Sequence, residues 1–222
     1  QQTKVDNSRK KRNYLLLGML AIALAIFFYW CFGDDWISIG IFTACIVFPV
    51  SILLEGSLTK IERSRIFVIY IIAFFVIFFW AAYEQAGASL TLFAAEQTDR
   101  FVLGWEVPAS WIQSFNPFFV VILAAIMPGI WGFLNKRGAE PASPTKQAIG
   151  LLLLSLGYLV ICFGVKDTQP GVKVSLIWLT GLYFIHTVGE LCLSPIGLSM
   201  VNKLTPLRFA SLMMGIWYLS MS

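Results

Sequence analysis

His186, Glu190 and Ser194 follow one another at intervals of four residues, the spacing that lines side chains along one face of a helix. They stand in a stretch that is otherwise apolar from Val174 to Val201, and Glu190 is near its middle. An ionised carboxylate at the centre of a bilayer costs about 3 kcal/mol or more unless it pairs, takes a proton or faces water. A residue in that position is therefore suited to hold a cation, to exchange a proton or to bond a neighbouring helix. His186 with Glu190 is the one pair suited to acid–base chemistry. The sequence has no Ser/His/Asp constellation, no HExxH motif and no metal-ligand cluster to support an enzyme. A lone membrane histidine reads better as a helix-packing hydrogen-bonder than as a proton carrier.

Three more segments carry polar or aromatic groups inside apolar runs. In "FFWAAYEQAGASL", Trp80 and Glu84 are four apart and share a face of a continuing helix, which should look into the bundle rather than at lipid. The alternative is a Glu84 solvated near the outer helix end. In "QSFNPFF", Asn116 precedes Pro117; either Asn116 begins the helix, with Pro117 in its first turn, or it reaches a ligand. Trp217 in "MMGIWYLS" reads as ordinary packing. Around Glu190, Gly189, Pro195 and Gly197 allow a bend or a broken helix.

The elements that must position these residues are membrane helices. Hydrophobic residues make up 58% of the 222, and charged residues 13%, about half the share of a soluble domain. Apolar runs of about 20 residues match a bilayer core of roughly 30 Å; short alternating segments of a barrel are absent. Seven helices are expected: Tyr14–Phe32, Trp36–Leu54, Ile66–Ala94, Phe115–Leu134, Ala148–Val165, Val174–Val201 and Leu207–Ser222. The third and sixth exceed what a bilayer needs, so each should be tilted or kinked. The fold class is all-α, polytopic and membrane-embedded.

Lysine and arginine set the orientation. Lys4, Arg9, Lys10, Lys11, Arg12, Lys60, Arg63, Arg65, Lys136, Arg137, Lys146, Lys203 and Arg208 fall before or between alternate helices. The opposite loops hold only Arg100, Lys166 and Lys173, with Asp34, Asp35, Glu96, Asp99, Glu106 and Asp167. The positive-inside rule then places the first residues in the cytoplasm. The net charge of +4 reflects that topology, with no nucleic-acid footprint. Trp105, Pro108 and Trp111 mark the longest outer loop, Ala95 to Ser114, as an interface segment. Cys31, Cys45, Cys162 and Cys192 lie in apolar spans without a CxxC pair and read as small buried hydrophobes. With no initiating Met and an apolar run still open at Ser222, the sequence reads as a fragment of a longer protein.

The segments "FFWAAYEQAG", "QSFNPFF", "PASPTKQAIG", "GELCLSPIGLSMVNKLTP" and "GIWYLS" resemble, in order, the proton-dependent oligopeptide transporters of the major facilitator superfamily. "GELCLSPIGL" is the most specific of them. The resemblance divides the chain into 1–65, a cytoplasmic linker and inserted helix hairpin, and 66–222, a C-terminal transporter half holding helices seven to eleven, the last truncated. It implies a bacterial inner-membrane protein whose N-terminal half, with its E-x-x-E-R motif, lies elsewhere in the same protein.

The resemblance also implies roles. Glu190 would receive the amino group of a di- or tripeptide, and Asn116 would hydrogen-bond the same end. Glu84 would couple protonation to gating. Trp80, Tyr83, Ser194 and Trp217 would line side-chain pockets. One acid binding substrate and another titrating makes a symport driven by a proton gradient, with no cofactor and no metal, worked by alternating access. Open alternatives are another substrate in the same family, such as nitrate or a modified amino acid, a membrane enzyme using His186 and Glu190, or an assembly or receptor protein.

Overall fold

The computed structural model describes residues 2–166 and 172–221, with side chains from Lys11 onward. Asp167, Ser222 and the side chains of Lys4, Arg9 and Lys10 lie outside the described residues. Among the described residues, six helices are long and apolar enough to cross a membrane: Lys11–Phe32, Trp36–Leu53, Lys60–Glu96, Ala109–Lys136, Ser143–Val165 and Leu176–Leu204. The expected seventh is shorter than the sequence suggested. After Pro206 the chain makes a 3₁₀ turn, Leu207–Phe209, and only Ala210–Leu219 is α-helical.

The chain folds as two compact units. The first comprises Gln1–Phe74 and Val201–Ser222. In it α1 (Gln2–Phe32) and α2 (Trp36–Leu53) form a hairpin. Gly33 makes the turn at φ +62°, a backbone state that glycine adopts without steric cost. Asp35 caps α2, its carboxylate accepting from the Ser38 N–H at 3.2 Å and the Ser38 hydroxyl at 2.6 Å. Those bonds hold its carboxyl below the usual carboxylate range. Phe32 and Phe42 stack across the hairpin at 5.0 Å, and Asn13 Nδ2 donates to Leu54 O at 2.9 Å. The first turn of α3 (Lys60–Tyr83) is a capping box. Thr59 N–H donates to Glu62 Oε2 (2.8 Å), and Glu62 N–H donates to Thr59 Oγ1 (3.2 Å). Arg208 secures it further, donating to Glu62 Oε2 at 3.0 Å and Ser57 O at 2.9 Å. Ile52, Ile66, Ile69, Met213 and Trp217 are buried in this unit.

The second unit, Phe75–Met200, holds the rest. The expected Ile66–Ala94 helix is interrupted, in keeping with a length beyond what a bilayer needs. α3 ends at Tyr83, and a 3₁₀ turn (Glu84–Gly87) leads to α4 (Ser89–Glu96). Then come a two-residue strand β1 (Thr98–Asp99), a hairpin of β2 (Phe101–Val102) and β3 (Trp105–Glu106), and the short α5 (Ala109–Ile112). An ion pair between Arg100 and Glu106 at 2.6 Å closes this loop, and Trp105 and Trp111 pair with ring centres 5.4 Å apart. β1 pairs in parallel with β4 (Val174–Ser175).

α6 (Phe115–Lys136) stops in a Schellman cap, Ala139 N–H donating to Leu134 O and Gly138, at φ +65°, donating to Asn135 O. α7 (Ser143–Val165) and α8 (Leu176–Leu204) pack closely because glycines clear the way. A Cβ on Gly150 would lie 2.8 Å from Gly189 O, and one on Gly189 would lie 2.9 Å from Gly150 O. One turn-pair along, a Cβ on Gly157 would overlap the His186 ring. Small residues at such contacts are how membrane helices gain packing where lipid removes the hydrophobic driving force. Gly189, expected to permit a bend or a broken helix, makes a close contact, and the helix is not broken there. α8 runs unbroken through Gly189, Pro195 and Gly197.

Of the four cysteines only Cys192 is buried; Cys45 is partly covered, and Cys31 and Cys162 are exposed on outward helix faces. The expectation of four buried thiols is thereby corrected: a bilayer accepts an apolar thiol on the outside of a bundle as readily as within it.

Candidate functional site

The break in α3 shapes the site. Ending the helix at Tyr83 leaves carbonyls without their usual intrahelical partners, a cost several kcal/mol high inside a membrane unless they are satisfied. Three hydroxyls supply the bonds. Tyr158 of α7 donates to Ala82 O at 2.5 Å, Thr91 of α4 donates to Ala86 O at 2.8 Å, and Tyr183 of α8 lies 3.5 Å from the same Ala86 O. Around them Leu90, Ala94, Ile112, Ile161, Leu179, Leu182 and Tyr183 form a continuous buried cluster. The irregular turn is thus built into the packing of three neighbouring helices.

At that turn Tyr83 faces α8. Its hydroxyl donates to Glu190 Oε2 at 2.5 Å, while its ring stacks on Phe79 at 5.5 Å and meets Trp80 edge-on at 5.3 Å. Tyr83 is buried and Glu190 half-buried. Of the partners open to Glu190, a cation, a proton or a neighbouring helix, the last is present in Tyr83. The bond uses one carboxylate oxygen and leaves Oε1 without a described protein donor.

One turn before Glu190, Thr187 connects to α6. Its Oγ1 lies 2.7 Å from Tyr183 O and 3.0 Å from Asn116 Oδ1. A hydroxyl has one hydrogen, so Thr187 serves one of these acceptors at a time. Asn116 sits inside the first turn of α6, where Pro117 costs no hydrogen bond. Its side chain does not cap the helix: the N-cap is Ser114, without a side-chain bond. Asn116 is thus linked to the turn of α8 that precedes Glu190.

His186 hydrogen-bonds neither Asn116 nor Glu190, although its ring centre lies 6.1 Å from that of Tyr83. It is 2% exposed, its Nε2–H donates to Leu154 O at 3.0 Å, and its ring meets Tyr158 edge-on at 4.8 Å. The even spacing of His186, Glu190 and Ser194 therefore does not make one polar surface. His186 packs against α7, Glu190 reaches Tyr83, and Ser194 is half-buried further along α8. Glu84 is also separated from Trp80 by the change of helix type. It opens the 3₁₀ turn and its side chain is exposed, whereas Trp80 remains on α3 with a buried indole Nε1 that lacks a protein partner. Trp217 lies in the first unit, fully buried, with its Nε1 equally without a protein acceptor. Among the described residues no three of His, Cys, Asp and Glu gather as metal ligands would.

Sequence reasoning passed over Tyr158, Tyr183, Thr187 and Thr91. The signal was present for the tyrosines, since a phenol inside an apolar span needs an acceptor. Thr187 stands three residues before Glu190, the other helical-neighbour spacing.

Comparison with known proteins agrees with this architecture. The POT family model matches residues 32–222. The peptide transporter YePEPT of Yersinia enterocolitica is 38% identical over 169 residues, covering 75% of this chain and 33% of the relative. Dipeptide and tripeptide permease A of Escherichia coli K12 is 34% identical over 158 residues, 71% of this chain and 31% of the permease. This chain therefore spans about a third of the length of the curated relatives it matches. Among solved structures, a mutant of the peptide transporter POT in complex with alafosfalin superposes with a TM-score of 0.73 at 34% identity, over 96% of this chain and 44% of that one. A POT family transporter in complex with 5-aminolevulinic acid gives 0.72 at 27% identity, over 96% and 46%. With six apolar spans, the transporter fold and a family match running from Cys45-bearing α2 through Glu190 to Trp217, the chain is a multi-pass membrane protein that belongs to the POT family.

Proposed function

We propose that this chain works as the C-terminal part of a proton-coupled di- and tripeptide symporter in the bacterial inner membrane. Residues 1–65 would be the linker and inserted hairpin, with the first residues cytoplasmic, and 66–222 the transporter half. The remainder of a full-length transporter would supply the other side of the cavity. The observation that carries this reading is the Tyr83–Glu190 bond beside the Asn116–Thr187 contact.

Glu190 Oε1 is the oxygen offered to a peptide ammonium, while Tyr83 holds Oε2 and fixes the carboxylate's orientation. An ammonium–carboxylate contact is charge-assisted and roughly twice as strong as a neutral hydrogen bond. Asn116 Oδ1 takes a second N–H of the same group. When it does, Thr187 keeps its hydrogen on Tyr183 O, so the ligand displaces no donor into an unsatisfied state. Trp80, Tyr83 and Ser194 would line side-chain pockets. Glu84, exposed at the start of the 3₁₀ turn, would exchange the coupling proton and bias that turn. The driving force is the proton gradient, and no cofactor takes part.

Two points weigh against the alternatives. An acid at the amine position would repel nitrate, and His186 Nε2, already donating to Leu154 O, is a poor partner for catalysis with Glu190. A substrate with an amine but no peptide bond has support from the relative whose structure contains 5-aminolevulinic acid. The test is uptake of dialanine into proteoliposomes by a full-length transporter carrying this sequence. Acid-outside loading should drive accumulation above equilibrium, and uptake that ignores the gradient would contradict the proposal.

A further inference from the structure

At the end of the α1–α2 hairpin away from Gly33 lies a pocket of about 300 Å³. It is bordered by the start of the α1 span, the last turn of α2, the segment after it and the first turn of α3, all within the first unit. Arg12, Arg63, Asn13 and Glu55 supply its polar wall, and Tyr14 and Leu17 part of its apolar wall. Its floor is fixed by the Asn13 Nδ2 bond to Leu54 O.

The charges in it are uncommitted. Glu62, the acid adjacent to Arg63, is occupied by the Thr59 amide and Arg208. Among the described residues neither Arg12 nor Arg63 is ion-paired, and neither is Glu55. Two guanidinium forks with spare donors match the oxygens of a phosphate. The position adds a second constraint. Arg12 stands at the start of an apolar span on the side that Lys and Arg assign to the cytoplasm, hence at headgroup depth. Tyr14 and Leu17 then descend from it along the helix into the hydrocarbon region. A pocket that is cationic above and apolar below suits an amphiphile better than a free anion, and basic pockets between helices on that side of a membrane are suited to phospholipid headgroups.

We propose that this pocket binds one anionic glycerophospholipid from the inner leaflet. Arg12 and Arg63 hold its phosphate, Glu55 accepts a hydrogen bond from a headgroup hydroxyl, and an acyl chain lies along Tyr14 and Leu17. The proposal concerns the hairpin alone and stands or falls apart from the peptide site.

Native mass spectrometry of a full-length protein carrying this sequence, exchanged into detergent with defined lipid, tests it. Phosphatidylglycerol should be retained one per protein. The Arg12→Gln/Arg63→Gln variant should lose that retention by about thirtyfold, at roughly 1 kcal/mol for each arginine. Lys11→Gln, one residue from Arg12 but outside the pocket, should retain it. Should the double variant not fold, Leu17→Trp, which fills the apolar wall, should produce the loss instead. Equal retention by the variants, an equal loss with Lys11→Gln, or phosphatidylethanolamine held as firmly as phosphatidylglycerol would each overturn the assignment. Inorganic phosphate protecting the protein against heat as well as phosphatidylglycerol does would also overturn it, in favour of a free-anion site.

Discussion

The Tyr83 hydroxyl donates to Glu190 Oε2 at 2.5 Å, joining the last α-helical residue of α3 to the middle of α8. It is a bond between an acid that must be held and a tyrosine that stands where its own helix breaks. Tyr83→Phe removes only the hydroxyl. A hydrogen bond to a charged group contributes about 1.5–3 kcal/mol, so KM for a free-amine dipeptide should rise about tenfold or more in a full-length transporter. An unchanged KM would mean that the tyrosine does not orient the acid.

Thr187 should matter through Asn116. Thr187→Val keeps the shape and removes the hydroxyl, leaving Asn116 without its contact on α8. Since a ligand must take Asn116 Oδ1 from that hydroxyl, KM should fall, by up to roughly three- to tenfold for the 1 ± 0.5 kcal/mol of a neutral hydrogen bond, with Thr187→Ser restoring the wild-type value. An equal change in the serine variant would assign the effect to packing.

Glu84→Gln should abolish accumulation driven by a proton gradient while leaving exchange of labelled for unlabelled peptide measurable. The assignment rests on an exposed acid at the head of the 3₁₀ turn. Persistent gradient-driven accumulation would remove Glu84 from the coupling step.

The glycine contacts make a prediction about stability alone. Gly157→Ala places a methyl group into the His186 ring, and overpacking of this kind costs about 1–3 kcal/mol. Gly132→Ala on α6 meets nothing within 4 Å and gains helix propensity. Thermal unfolding in detergent should fall for the first and hold or rise for the second; equal behaviour would deny the close α7–α8 approach.

Much of this architecture can be read from residue order because a bilayer restricts the choices. Helix length and the Lys/Arg alternation specify the spans, and a midplane acid such as Glu190 is conspicuous by cost. Pairwise contacts are less legible. That Tyr83 bonds Glu190 is a contact between residues 107 apart, and the carbonyls freed at the break are met by Tyr158 and Tyr183, seventy and more residues away. Gly189 shows the same limit: beside proline-containing sequence it reads as a site for a bend, and only the facing Gly150 reveals its packing contact. Glu84 and Trp80 look like one face until the helix type changes between them.

The central claim is that the free oxygen of Glu190 receives a peptide's amino group. It is tested most directly by competition for dipeptide uptake in proteoliposomes containing a full-length transporter, comparing dialanine with N-acetyl-dialanine as competitors. In the wild-type protein dialanine should compete at least about tenfold better, since losing a charge-assisted contact costs roughly 1.5–3 kcal/mol. In Glu190→Gln that preference should collapse toward one. A Glu190→Gln transporter that still favours the free amine by the wild-type ratio would contradict the account.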